Sequence, residues 1–175
     1  MDMLNAIMHR RSVRQYTSEA IPEDKLNAIL YAGLAAASSK NRRPWEFIVV
    51  RDRKMLDRLC ECRPGAANLL GKCQAAIVVA ADAELVDVWV EDCASAITQM
   101  HIAADALGVG SCWLQVRKRM APDGVTSTED VVRDLLGISV KYGVMAMLTL
   151  GMPANHPGIK PVDDLLLEKI HHEHF

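Results

Sequence analysis

Long apolar runs are missing from this chain, and so is any cysteine pattern that would hold a metal. No stretch approaches the ~18 consecutive apolar residues of a membrane span, so no membrane partner is expected. The opening MDMLNAIMHRRS lacks the basic-then-apolar order of a secretory leader, and a cytoplasmic protein is the expectation. The five cysteines (Cys60, Cys62, Cys73, Cys93, Cys112) are odd in number, and Cys60-x-Cys62 is not a CxxC pair. They are expected to be reduced thiols, some buried as small hydrophobes. HExxH, GxSxG and Walker patterns are absent, and no glycine-rich turn follows the first strand. These absences speak against a zincin, an α/β-hydrolase, a P-loop enzyme and a Rossmann domain. Neither sign of charge dominates: 20 Lys+Arg against 22 Asp+Glu gives a net charge of −2, which argues against a dedicated nucleic-acid binder.

The charge is nevertheless uneven. Residues 1–63 hold 12 basic and 8 acidic side chains, and the remainder holds 8 and 14. An early basic segment of this kind suits a local anionic ligand. With 175 residues, half of them apolar, the chain fits one domain, 1–175, with a full core.

Interspersed helices and strands point to an α+β fold. A first helix, capped by Asp2, runs to about Arg10 with Leu4, Ile7 and Met8 on one face. A second starts at Pro22 as its first helical residue and groups Leu26, Ile29, Leu30 and Gly33. Strands are expected at 47–50, 75–81, 111–116 and 144–150; the second is continuously apolar, as a buried strand is. A short helix is expected over 54–60. The strongest helical pattern links Val86, Val90, Cys93, Ile97, Met100, Ala104 and Leu107, and Gly108 follows it. Ser127-x-x-Asp130 reads as a capping box for a helix closed by Gly137. The tail segment LLLEKIH is compatible with a helix or an edge strand.

Three segments carry chemistry. In His9-Arg10-Arg11-Ser12-Val13-Arg14 the carbonyl end of a helix repels anions, so any phosphate must be held by side chains; guanidinium forks and a hydroxyl suit a monoester. A solvated basic helix end is the plainer alternative. Ser38-Ser39-Lys40-Asn41-Arg42-Arg43-Pro44-Trp45 offers hydroxyls, an amide and a flat aromatic, which could grip a heteroaromatic edge or form an ordinary loop. Gly108-Val109-Gly110-Ser111-Cys112-Trp113-Leu114-Gln115 permits close backbone approach to a planar ligand. Cys112 sits in an apolar strand with no adjacent His or Lys, which disfavours a nucleophilic role. The tail histidines His171, His172 and His174 lack metal-ligand spacing, and no metal is expected.

Together with Gln15-Tyr16, Leu150-Gly151-Met152-Pro153 and Lys160, these segments stand in an order and spacing that resemble the FMN-dependent nitroreductase family across essentially the whole chain. The resemblance implies an α+β, nitroreductase-like fold with a mixed or antiparallel central sheet flanked by helices, and an intertwined homodimer with FMN at the subunit interface. It implies that Arg10, Ser12 and Lys160 hold the phosphate, that Arg11 follows the ribityl chain or phosphate, and that Arg14 faces the pyrimidine edge. Ser38, Ser39 and Asn41 would reach in from the other subunit, together with Arg43, which stands where the family often has Gln. Trp113, Leu114 and Gln115 would run along the isoalloxazine. Asn68 and Lys72 fall near a further polar contact.

The function so implied is an FMN-dependent NAD(P)H oxidoreductase passing hydride by a ping-pong route to a small-molecule electron acceptor such as a nitroaromatic or a quinone. The flavin carries the chemistry and no catalytic side chain is expected; NADH or NADPH is the donor. A guanidinium near N1 and C2=O would stabilise the reduced flavin. The loop 116–120 and the stretch around Trp89 are the segments that would frame the acceptor. Alternatives are a flavin-binding or storage protein with little turnover and a specialised relative such as a reductive dehalogenase; the chain has no evident lid for the latter. A nucleic-acid module using the two basic clusters is opposed by the net charge.

Overall fold

The computed structural model of the protein describes residues 3–175. Four strands, β1 (Trp45–Val50), β2 (Ala75–Asp82), β3 (Gly110–Gln115) and β4 (Tyr142–Gly151), form one sheet in the order β1-β2-β4-β3. All three strand pairs are antiparallel, so of the two expected arrangements the antiparallel one holds. A parallel bridge between Ser12 and Ser111 adds the N-terminal segment beside the start of β3.

β2 is covered on both faces, which explains why its sequence is apolar without alternation. Ala75, Ile77, Val79 and Ala81 pack with Leu26, Ile29, Cys93, Ile97, Met100 and Ala104. Ala76, Val78 and Ala80 pack with Leu56, Leu59, Leu70 and Val132 on the other side. Each large aliphatic side chain so buried contributes ~1.5–3 kcal/mol.

Among the described residues there are five α-helices: α1 (Met3–His9), which packs on α4, and α2 (Glu23–Leu34), α3 (Arg53–Cys60), α4 (Trp89–Ala106) and α5 (Thr128–Leu136), which flank the sheet. α2 meets α4 through Gly33, where a Cβ would lie 2.8 Å from the Cγ and Sδ of Met100. The Ser127 hydroxyl accepts from Asp130 N at 3.0 Å, and Gly137 closes α5 in the left-handed region at φ 67°, as the capping pattern predicts. All five cysteines are free thiols, four of them buried.

Several expectations need correction. Asp2 lies outside the described residues. Pro22 is the residue before α2 rather than its first, with ψ 138°. α4 starts at Trp89, not Val86, because a turn intervenes: Asp82 accepts from Glu84 N through its carboxylate and from Leu85 N through its carbonyl. The tail is neither helix nor strand but two 3₁₀ turns, Val162–Asp164 and Leu167–Lys169, on an exposed path. Leu4 and Ile7 do not enter the core; they are 75% and 46% exposed, and α1 buries Ala6 instead. The accessible surface is 9821 Å², against roughly 8,500 Å² for a compact monomer of this mass. The excess reflects the projecting tail and the uncovered face of α1.

Gly110 lets the N-terminal segment lie against β3. A Cβ there would stand 2.8 Å from Val13 Cγ1 and 3.2 Å from the Gly151 carbonyl oxygen, and Val13 is buried. Gly110→Ala is expected to cost about 1–3 kcal/mol by overpacking, read as a lower urea midpoint with an unchanged slope. An unchanged midpoint would show that the Val13 segment yields freely.

Candidate functional site

β3 is an edge strand, and among the described residues only the Ser12–Ser111 bridge lies on its outer side. A cleft of about 280 Å³ opens along this edge, lined by Arg14, Asn68, Leu69, Lys72 and the strand residues Cys112, Trp113 and Leu114. Asn68 is carried there by the 3₁₀ turn Ala66–Leu69, and Lys72 follows it with its N–H on the Leu69 carbonyl at 3.1 Å; the buried Ala67 and Leu70 pin the segment. The Leu114 side chain belongs to the core, so its contribution to the cleft is main chain. Arg14 also borders two neighbouring clefts, one of about 490 Å³ with Tyr16, Lys72 and Gln74, the other of about 200 Å³ with Ser12, Gln15 and Asn155. The Tyr16 hydroxyl, bonded to the Val13 carbonyl at 2.9 Å and to Thr149 Oγ1 at 2.8 Å, fixes the backbone between Ser12 and Arg14.

Cys112 is 3% exposed at this edge. Burial pushes its thiol up; Arg14, a hydrogen bond with Ser12, and Arg10 offset only part of this. The thiol is not a poised nucleophile, in line with the sequence. Arg10, Ser12 and Arg14 thus all act on the Cys112 thiol.

The carbonyl end of α1 gathers the remaining cations. Arg11 Nη1 donates to the Gly158 carbonyl at 3.2 Å, and Lys160 N donates to the Met8 carbonyl at 3.2 Å. The Lys160 main chain is therefore brought to the end of α1 that leads into Arg10, Arg11 and Ser12, although it is distant in sequence. Arg10 Nη1 meets His101 Nε2 at 3.0 Å, and His101 Nδ1 meets Ser111 Oγ at 2.5 Å. One turn further along α4, Asp105 Oδ2 meets His9 Nδ1 at 2.6 Å and Oδ1 meets His156 Nε2 at 2.8 Å. Burial alone would raise the Asp105 carboxyl, but the two histidine hydrogen bonds outweigh it and hold it below its ordinary value.

His9, Asp105 and His156 place three potential metal-ligand atoms within 4.8 Å of one another. Their geometry is that of a carboxylate clamp. The two imidazoles are stacked at 4.3 Å with 14° between planes, so their in-plane lone pairs do not converge on one ion. Gly158 N donates to His156 Nδ1 at 3.0 Å, which leaves the proton on Nε2, facing Asp105.

Ser38, Ser39, Asn41 and Arg43 are not brought to this cleft. Ser39 N donates to Asp92 Oδ1 at 2.8 Å near the start of α4. Asp92 and His101 are nine residues apart on that helix, roughly 14 Å along its axis. The loop is internally braced: Ser38 Oγ accepts from Arg43 N at 3.0 Å and Asn41 Oδ1 from Arg43 Nε at 2.9 Å. These bonds hold Lys40, Asn41 and Arg43 at φ 49°, 54° and 49°, a region costly for side chains. Gln115 also stands outside the lined cleft; its amide is engaged by Trp113 Nε1 at 2.9 Å and the Arg117 carbonyl at 3.1 Å. Arg117 lies over the Trp89 ring at 5.6 Å, which joins the two segments expected to frame an acceptor.

The model of the nitroreductase family matches residues 7–63 and 61–152. The chain belongs to the nitroreductase family. An FMN-dependent nitroreductase from Clostridium difficile R20291 superposes with a TM-score of 0.95 at 38% identity, covering 99% of this chain and 100% of that one. A protein from Archaeoglobus fulgidus with a provisional NADH dehydrogenase/NAD(P)H nitroreductase name is 37% identical over 98% of both chains. A structure from Desulfovibrio desulfuricans solved in complex with FMN has a TM-score of 0.76 at 28% identity, over 97% of both chains. The family match takes in every predicted site residue except Lys160.

Sequence reasoning overlooked His101, Asp105 and His156. The available signal was a polar i, i+4 pair interrupting an Ala-rich apolar helix, each partner one residue after a core position.

His101 is almost fully buried, and burial, followed by the Arg10 guanidinium, pushes it down to about 4 from an ordinary 6.5. Between those values the unfolded chain takes up a proton that the folded chain refuses, so stability falls as pH drops through the window. The loss is about 3 kcal/mol at most. Asp105, held low, adds a loss only further into acid. Urea midpoints across the window should fall for wild type and less steeply for His101→Gln; parallel profiles for the two would refute a buried neutral His101.

Proposed function

We propose that this chain is an FMN-dependent NAD(P)H oxidoreductase that works as a homodimer and reduces small-molecule acceptors such as nitroaromatics or quinones. The observation that carries the reading is a cleft along an open strand edge, polar at Arg14, Asn68 and Lys72, beside a group of cations at the end of α1. This donor set fits FMN: a planar ring with a polar edge, joined to a phosphate monoester. When bound, FMN supplies the hydride acceptor and donor that links NADH or NADPH to the acceptor.

The chain's own residues bind and orient. Arg10 and Ser12, with Lys160, hold the phosphate; Arg11 lies beside them along the ribityl chain. The helix end opposes an anion there, so the guanidiniums must outweigh it. Arg14, Asn68 and Lys72 line the polar side of the cleft and would hold the pyrimidine edge; the fixed positive charge of Arg14 would favour the reduced, more anionic flavin. The main chain of Trp113 and Leu114 runs along the ring system, and Gln115 acts from behind by bracing Trp113.

A second copy completes the site. The cleft lies open along the β3 edge and runs into the two neighbouring clefts that share Arg14. Ser38, Ser39, Asn41 and Arg43 stand apart from it in the same chain. Exposed Met3, Leu4 and Ile7 on α1, with Ile159, Val162 and Leu166 in the tail, supply an apolar face that a second copy would cover. An interface at or above ~2,000 Å² is expected.

Arg10→Ala is expected to weaken FMN binding by about 1.5–3 kcal/mol, because a charge-assisted contact is lost. Fluorescence titration of the flavin-free protein measures this, and an unchanged dissociation constant would remove Arg10 from the site. NADH or NADPH should bleach the bound flavin; binding without bleaching would leave a storage role.

The assembly is tested by sedimentation with flavin absorbance as readout. FMN should travel with a dimer and raise the melting temperature by mass action. A monomer carrying stoichiometric FMN would overturn the assignment of Ser38, Ser39, Asn41 and Arg43.

A further inference from the structure

We infer that His101 is a positioning residue for phosphate recognition: a buried, neutral imidazole that aims the Arg10 guanidinium without neutralising it. The inference rests on the reading of Arg10 as a phosphate ligand.

The hydrogen-bond directions are determined. A guanidinium only donates, so at 3.0 Å from Arg10 Nη1 the His101 Nε2 must be the acceptor. A neutral ring then carries its proton on Nδ1, which donates to Ser111 Oγ at 2.5 Å. The relay runs in one direction, Arg10 to His101 to Ser111. His101 and Ser111 are both buried, at 6% and 1% exposure, so the acceptor is rigid. Ser111 is also bridged to Ser12, and its carbonyl accepts from Val13 N at 2.9 Å. One strand residue thus ties together the aim of Arg10 and the place of Ser12, the two side chains read as phosphate ligands.

The chemistry of the acceptor matters. A carboxylate facing Arg10 would orient it equally well but would cancel its charge and compete with an anionic ligand. The nearest carboxylate on α4, Asp105, has both oxygens engaged by His9 and His156. Among the described residues Arg10 has no carboxylate in ion-pair range, and its remaining N–H groups keep their full positive charge for a ligand. The groups facing His101 are Arg10 from the N-terminal segment, Ser111 from β3 and Asp105 from its own helix. Protonation beside Arg10 is disfavoured, which keeps the ring an acceptor at neutral pH.

The test separates phosphate recognition from general flavin binding. FMN and riboflavin are titrated into full-length, flavin-freed protein, and the ratio of their dissociation constants is compared across variants. His101→Leu is expected to weaken FMN roughly five- to tenfold while leaving riboflavin unchanged. His101→Gln, which offers a neutral carbonyl acceptor, should restore most of the ratio. His101→Glu should lower FMN affinity more than the leucine variant does, because it neutralises Arg10. A merely structural role would weaken both flavins equally in His101→Leu, and that result overturns the inference. So does a glutamate variant that binds FMN as tightly as the glutamine variant, a comparison that stands even if His101→Leu does not fold. Arg10→Ala in the same titration is the reference. If it leaves the ratio unchanged, the phosphate reading of Arg10 fails; if it collapses the ratio while the His101 variants do not, only the inference about His101 fails.

Discussion

The buried faces of α4 constrain the positions of nearly everything that could touch a ligand. Its apolar residues Cys93, Ile97, Met100 and Ala104 fix it against the sheet. On that fixed helix three polar residues are buried, and each holds a different piece of the site. Asp92 takes the Ser39 amide, His101 takes Arg10, and Asp105 takes His9 and His156. A buried polar group left without a partner costs ~1–3 kcal/mol, so these contacts are strongly enforced once α4 is packed. Rotating or sliding the helix would break all of them together. Core packing and site geometry are therefore one constraint.

That constraint also keeps the two groups of predicted residues apart. Asp92 sits in the first turns of α4 and His101 and Asp105 in its last, so a rigid rod separates the 38–43 loop from the cation arm. The cation arm faces an open strand edge, while the loop is braced in left-handed backbone by its own side chains with no ligand beside it in the same chain. Backbone strain of this kind persists where the surroundings over-determine it. α1 buries only Ala6, and its apolar Met3, Leu4 and Ile7 stay exposed.

Much of the fold was legible because the signals were local. β2 announced a doubly covered strand by its unbroken apolar run, and α5 by its Ser127-Asp130 cap and Gly137. Errors arose where a non-local or competing interaction decided the outcome. Val86 fits the helical period, yet the Asp82 turn claims the backbone first. Leu4 and Ile7 look like core residues because periodicity cannot say which protein surface a stripe will meet. The cation arm was readable as a cluster, but the proximity of Lys160 depends on the Met8 carbonyl, and the clamp on Asp105 depends on His156, some fifty residues away. Isolated histidines on an Ala-rich helix carry no pattern until tertiary structure supplies their partners.

The contrast between the two histidine networks follows from charge. Asp105 is an anion within reach of the basic N-terminal segment, and unpartnered it would draw an arginine into an ion pair. Two imidazole donors occupy both of its oxygens instead, and the stacked rings stand between the carboxylate and solvent. His101, one turn earlier, presents a neutral lone pair where a carboxylate would have been the simpler way to hold a guanidinium. The result is a segment whose excess positive charge, visible already in the uneven charge of the sequence, is held in place by neutral acceptors and backbone carbonyls. At the carbonyl end of a helix, where the backbone itself disfavours anions, an anion site made of side chains alone would require that charge to be retained.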